Sequence, residues 1–159
     1  MKSAEKTIII KKEIHINMEY DYIIQTNDGK EIPIRKTDLE KSEFIRTVME
    51  SCSEDDRTIP LPNVSSETLE NVLCFTRHYE EAPMKKIPKP LPSANLEDVL
   101  DPWYVKYITS IGLQTPLYDL LRAANYLDIP PLQDIACARV ASLIRGKDAS
   151  EMKKVLGIE

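Results

Sequence analysis

The sequence predicts an α+β fold, a small three-stranded sheet with helices packed to one side of it. Three observations predict it. YDYIIQTNDGKEIPI (20–34) sets two alternating apolar runs on either side of strong turn chemistry. TIPLPNV (58–64) is a third short β-rich run, stopped by Pro60 and Pro62. From Pro102 onward the apolar residues recur at helical spacing. Strands early and a run of helices late make an α+β arrangement.

Residues 1–19 stand apart as an N-terminal arm. TIIIKKEIHI is rich in β-branched residues, and Ile14 and Ile16 alternate with His15 and Asn17. It is either an extra strand or an arm awaiting a partner. Tyr22 to Thr26 is the first strand and Asn27-Asp28-Gly29 the turn. Ile32 and Ile34 alternate on the return strand. Pro33 cannot donate to a ladder, so it marks a sheet edge. TDLEKSEFIRTVMES (37–51) reads as one helix, with Thr37 and Glu40 at capping-box spacing. Its apolar stripe is Phe44, Ile45, Val48 and Met49, and an acidic loop, SEDDR, follows.

A second helix runs from near Ser65 to about Tyr79. Glu67 suits its positive end, and Leu69, Val72 and Leu73 form its buried face. Residues 80–102 are a proline-rich linker. Pro83, Pro88, Pro90 and Pro92 forbid a regular helix and favour extended backbone. PWYVKYITSI is helical, opened by Pro102. Thr115-Pro116 is a cap with proline at the first helical position, and Leu117, Leu120, Leu121 and Ala124 make a buried face. Pro130-Pro131 shuts that helix off and starts the next, which Gly146 ends. Asp148 and Glu151 cap a last short helix carrying Met152, Val155 and Leu156.

Composition narrows function. The net charge of −5 would repel a phosphate backbone, so nucleic acid is not an expected partner. Lys85, Lys86 and Lys89 are a modest basic patch that reads as a solubilised loop. The N-terminus has only three consecutive apolar residues before charge returns, so no leader and no membrane span are expected. Cys52, Cys74 and Cys137 make no disulfide framework. They read as buried, reduced thiols of a cytoplasmic or nuclear protein.

Chemistry is not expected. His15 and His78 are the only histidines, and four metal ligands cannot be assembled locally around either one. The carboxylate pairs Asp55-Asp56, Glu80-Glu81 and Glu97-Asp98 sit in polar stretches, where neither member would be desolvated. Four glycines make no phosphate-binding loop, and there is no G-x-S-x-G elbow. The expectation is no enzyme, no metal and no cofactor.

The informative residues are apolar. The final stretch holds Leu132, Ile135, Val140, Leu143, Ile144, Met152, Val155, Leu156 and Ile158. Leu132, Ile135 and Val140 read as core. A short terminal helix has little chain left to cover Met152, Val155, Leu156 and Ile158, so these read at least equally as a surface for a partner helix. In AANYLDIPPL (123–132), Asn125 and Tyr126 want partners, while Ala123 and Ala124 keep the helix slim. A half-buried core tyrosine and a contact residue are both open readings here.

Several motifs then agree in order and spacing with one family. The segment LYDLLRAANYLDIPPLQDIACARVASLIRGKDASEMKKVLGIE resembles the C-terminal half of the S-phase-kinase-associated adaptor family of SCF ubiquitin ligases. That family's LAANYLDI and IKGKTPEEIRKTFNI match Arg122–Ile129 and Ile144–Ile158. Its PLPNV and VIxWCxHHxDDP match TIPLPNV and VLCFTRHYEEAP, and QTNDG matches its N-terminal hairpin.

The resemblance covers residues 20–159 and implies a BTB/POZ domain over 20–129, followed by a two-helix extension over 130–159. It implies an adaptor without chemistry of its own, in which a cullin N-terminal domain docks on one side and an F-box protein on the other. It assigns Asn125 and Tyr126 to cullin binding. It assigns Val140, Leu143, Ile144, Met152, Val155, Leu156 and Ile158 to F-box binding.

The chain departs from the family pattern in four places. The family pattern continues past the position of Glu159 with a further segment and a helix that help to clamp the F-box. GKDASEM lacks the proline that some members modify, so no such modification is expected. ITSIGLQTP carries two extra residues close to the cullin-facing helix. The arm and the lysine-bearing linker are unusual. The competing reading is a scaffold of the same fold that self-associates or joins a non-ligase assembly, with a weak homodimer when no F-box is bound. An elongin-C-like adaptor fits less well, since that family lacks the C-terminal helices.

Overall fold

Alternation of Ile24 and Thr26 with Ile23 and Gln25 produces β1 (Tyr22–Thr26), the central strand of a three-stranded sheet ordered β2-β1-β3. The computed structural model describes residues 20–158, so the expected arm over 1–19, with His15, lies outside the described residues. The chain divides into two compact units, residues 1–66 and 67–159.

In the first unit, β2 (Glu31–Ile34) pairs antiparallel with β1, setting Ile32 against Ile24 and Ile34 against Tyr22. Pro33 lies on this edge strand, as expected. β3 (Thr58–Leu61) pairs parallel on the other side and runs through Pro60 rather than stopping at it, which an edge strand permits. Ile24, Ile34, Ile59 and Leu61 are buried on one face. The hairpin turn forms where predicted, and Gly29 takes the left-handed conformation it requires, at φ 77°. Asp28 does more than turn the chain. Its carboxylate accepts from the Thr26 hydroxyl, from the Ser66 hydroxyl at 2.5 Å and from the Ser66 N–H at 3.1 Å.

The single helix expected from Thr37 is two pieces. A 3-10 turn covers Lys36–Leu39, and α1 covers Glu43–Ser51. Thr37 and Glu40 do not form the capping box. Asp38 instead accepts the Arg35 N–H at 2.9 Å, which closes a short turn and buries Leu39. Ser42 then caps α1, its hydroxyl accepting the Ile45 N–H at 3.1 Å. Ile45 and Met49 are buried, whereas Phe44 and Val48 are half-buried.

In the second unit, the chain continues through α2 (Ser66–Glu81), α3 (Pro102–Ser110), α4 (Thr115–Tyr126), α5 (Pro130–Ile144) and α6 (Ala149–Leu156). Together with the first unit this makes an α+β protein of three strands and six α-helices among the described residues. Leu69, Val72 and Leu73 are buried as expected.

The cysteines are not. Cys74 and Cys137 are exposed and Cys52 half-buried, all three free. Cys74 falls in phase with Glu67, Glu70 and Arg77, the exposed face of α2, and helical phase overrides the apolar character of a thiol.

Aromatic side chains tie α2 to α3. Phe75 sits 5.8 Å from Tyr104 and 5.7 Å from Tyr107, and His78 stacks on Trp103 at 3.6 Å. The Tyr107 hydroxyl donates to the Asn71 carbonyl at 2.8 Å, and Tyr104 to the Ala82 carbonyl at 2.6 Å. Burial pushes Tyr104 up to about 12, and raises Tyr107 as well.

The proline-rich stretch has no α-helix between Glu81 and Pro102, yet it is packed. Ile87, Leu96 and Leu100 are buried, Lys89 pairs with Asp134 at 2.7 Å, and Lys85 pairs with Asp101 at 3.3 Å. No described helix is long and apolar enough to cross a membrane.

The hydroxyls of Ser66, first, and Thr26 hold the Asp28 carboxyl down from 3.8 to about 2. A lowered folded value contributes stability above 3.8 that disappears as pH falls towards 2. Asp28→Ala is therefore expected to lower the melting temperature at neutral pH. The gap to the wild type should close between pH 3.8 and about 2, as read by calorimetric scans across that range.

Candidate functional site

The residues singled out from the sequence lie on three consecutive helices. α4 begins after Gln114, which takes φ 61°, so the cap is one residue earlier than the expected Thr115. Leu117, Leu120, Ala123 and Ala124 are buried, and Leu121 is half-buried. That stripe fixes which side of the helix faces out at its end. Asn125 is exposed, and Tyr126 is half-buried.

The prolines do not end α4. Asp128 does, in the left-handed region at φ 51°. The Ile129 N–H donates to the Ala124 carbonyl at 2.9 Å and the Asp128 N–H to the Asn125 carbonyl at 3.2 Å. This paired closure satisfies carbonyls that a helix end would otherwise leave open. Gln133, on α5, adds its side-chain N–H to the same Ala124 carbonyl at 3.1 Å. The end of α4 that carries Asn125 and Tyr126 is thus locked from two directions. Pro130 opens α5.

Burial fades along α5. Leu132, Ile135, Ala136 and Ala138 are buried, while Val140, Leu143 and Ile144 are only half-buried. Leu132 and Ile135 are core as expected, and Val140 is not. It lies beyond the stretch where α5 is covered. α6 has no fully buried residue at all. Its predicted capping box is present, with the Asp148 carboxylate accepting the Glu151 N–H at 2.9 Å and Glu151 accepting the Asp148 N–H at 3.0 Å. Met152, Val155 and Leu156 are half-buried and Ile158 is 56% exposed. None of the seven apolar residues is fully buried, and six of them lie on the packed pair α5 and α6, with Ile158 just after it.

Two contacts that the sequence did not reveal hold that region. The Tyr118 hydroxyl, on α4, donates to the Leu156 carbonyl at 2.6 Å. The Gln114 side chain lies against Gly157, where a Cβ would fall 2.7 Å from its Cδ. Gly157 has φ 66° and ends α6, with the Ile158 N–H donating to the Lys153 carbonyl at 2.9 Å. No spacing rule signals a tyrosine hydroxyl aimed at a carbonyl 38 residues on. One end of α4 thus carries Asn125 and Tyr126, and its other end anchors α6. The twelve residues between span roughly 18 Å.

Among the described residues, no group of three or more His, Cys, Asp or Glu could hold a metal ion. His78 is engaged with Trp103, and the carboxylates at 55–56, 80–81 and 97–98 are exposed. What the geometry offers is an amide and a phenol at one end and an apolar stripe at the other.

Tyr118→Phe is expected to cost about 1 kcal/mol, the net worth of one hydrogen bond, and to raise amide exchange in α6 while leaving α5 unchanged. Gly157→Ala should cost about 1–2 kcal/mol through its left-handed backbone, measured by denaturant unfolding.

Comparison with known proteins places these elements. A model described as Skp1 family, tetramerisation domain, matches residues 22–81, and one described as Skp1 family, dimerisation domain, matches 130–159. The SCF ubiquitin ligase complex protein SKP1a of Dictyostelium discoideum is 37% identical over 136 residues, 86% of this chain and 82% of that one. The S-phase kinase-associated protein 1 homolog of Tetrahymena thermophila is 38% identical over 118 residues, covering 74% and 70%. The E3 ubiquitin ligase complex SCF subunit sconC of Emericella nidulans is 33% identical over 137 residues, covering 86% and 83%.

Proposed function

This chain belongs to the Skp1 family, and we propose that it is an adaptor subunit of an SCF-type ubiquitin ligase, bridging a cullin to F-box substrate receptors without chemistry of its own. The observation that carries the proposal is α6. It is capped and terminated in a defined way, yet it buries no residue completely and ends in an exposed Ile158. A helix built so carefully and covered so little is suited to a partner helix laid over it.

In this reading residues 20–129 form the BTB/POZ domain and 130–159 the F-box-binding extension. The F-box covers Val140, Leu143, Ile144, Met152, Val155, Leu156 and Ile158. The cullin N-terminal domain takes Asn125 and Tyr126, where an exposed amide beside a half-buried phenol has the make-up of an interface hot spot. A net charge of −5 argues against nucleic acid as a further partner. Three free cysteines support residence in the cytoplasm and nucleus.

A second reading draws on the same stripe. Without an F-box, α5 and α6 of two copies cover each other in a weak homodimer, and a scaffold of this fold would stop there.

Mutations separate the two surfaces. Asn125→Lys with Tyr126→Lys is expected to abolish capture of a cullin N-terminal fragment while F-box binding is retained. Leu156→Asp is expected to do the reverse, weakening F-box binding by about 2 kcal/mol or more with the melting temperature unchanged. Joint loss of both partners in either variant, measured by titration calorimetry, would contradict the assignment.

A further inference from the structure

We propose that Leu113 is a further partner-contacting residue, and that it extends the apolar surface of α6 onto the loop between α3 and α4. The proposal rests on the adaptor reading and adds to it a residue in the stretch where this chain departs from the family pattern.

Leu113 is 44% exposed and Ile158 56% exposed, and these are the exposed large apolar side chains among the described residues. An isolated exposed leucine is ordinary. These two are not isolated. Leu113 precedes Gln114 and Ile158 follows Gly157, and the Gln114 side chain lies directly on Gly157. In the chain these two residues flank that contact, and the Tyr118–Leu156 hydrogen bond at 2.6 Å ties the same two helices together. Ile158 follows the half-buried Met152, Val155 and Leu156.

The loop holds Leu113 out. Ile111 is buried and occupies the inward position. Gly112 is pressed on Pro116, with space for a Cβ only 3.0 Å from its Cγ. Gln114 adopts φ 61° and ψ −114°, a conformation that L-residues rarely take. A strained turn that displays a leucine in water is consistent with a surface completed by a partner.

The occupant is the amphipathic helix of an F-box partner, with acidic side chains flanking its apolar face. Lys153 and Lys154 are the exposed charges in the last turn of α6, so the end of α6 that leads into Ile158 is basic. A two-fold axis through this junction would set those lysines against their own copies.

The test titrates a fluorescein-labelled recombinant F-box domain with the full chain, with Leu113→Ser and with Leu113→Met, alongside melting curves and light scattering. Leu113→Ser should weaken binding by about fivefold with an unchanged melting temperature, and Leu113→Met should bind as the wild type does. Wild-type affinity in Leu113→Ser overturns the proposal and leaves the adaptor reading intact. A parallel fall in melting temperature overturns it too, because Leu113 is then structural. A wild-type dimer that Leu113→Ser dissociates, with F-box affinity unchanged, gives the residue to a second copy and overturns it. If the wild type itself binds no F-box domain, the adaptor reading fails and the proposal falls with it.

Discussion

The second unit depends on how α4 is held. Its inner face, Leu117, Leu120, Ala123 and Ala124, is buried, and its two ends are fastened by hydrogen bonds to backbone carbonyls. At the C-terminal end, Ile129, Asp128 and Gln133 satisfy the carbonyls of Ala124 and Asn125. At the N-terminal end, Tyr118 reaches the Leu156 carbonyl and Gln114 covers Gly157. A free helix end exposes polar groups that need partners. Here Gln133 of α5 helps to close the C-terminal end of α4, and Tyr118 of α4 meets the need of the Leu156 carbonyl at the end of α6, so bonds that satisfy the backbone also tie the three helices together. The consequence is a short rigid rod with a different surface at each end.

That arrangement suits a molecule whose work is geometric. Among the described residues, the carboxylate pairs at 55–56, 80–81 and 97–98 are exposed, and no group of three or more His, Cys, Asp or Glu could hold a metal ion. A bridge needs two surfaces whose separation does not fluctuate. The cap at Asp148 and the left-handed stop at Gly157 give α6 defined ends although almost nothing covers it. Its order comes from local hydrogen bonds and from α4, while its apolar side chains Met152, Val155 and Leu156 stay half-buried.

Local rules made much of this legible. Turn chemistry at Asn27-Asp28-Gly29 located the β1–β2 hairpin, proline marked the first turns of α3 and α5, and Asp148 three residues before Glu151 marked α6. The same rule failed at Thr37 and Glu40, although the spacing is identical. There Asp38 competes for a backbone N–H, and Ser42 stands closer to the apolar stripe it caps. The cysteines show that residue type does not settle burial when helical phase opposes it, as at Cys74. Prolines in the 83–92 stretch excluded a helix correctly, but they carry no information on packing, and Ile87 is buried. At the candidate site, Asn125 and Tyr126 could be placed at a helix end by sequence. The left-handed Asp128 that locks them, and the Tyr118 hydroxyl that locks α6, are tertiary facts without a local signature.

The claim that unites these features is that one chain holds two different proteins at once. It is tested most directly by light scattering on a size-exclusion column, with the full chain mixed with a cullin N-terminal fragment and an F-box domain together. The account predicts a single ternary particle containing one copy of each. A homodimer of the chain eluting apart from both added proteins would contradict it.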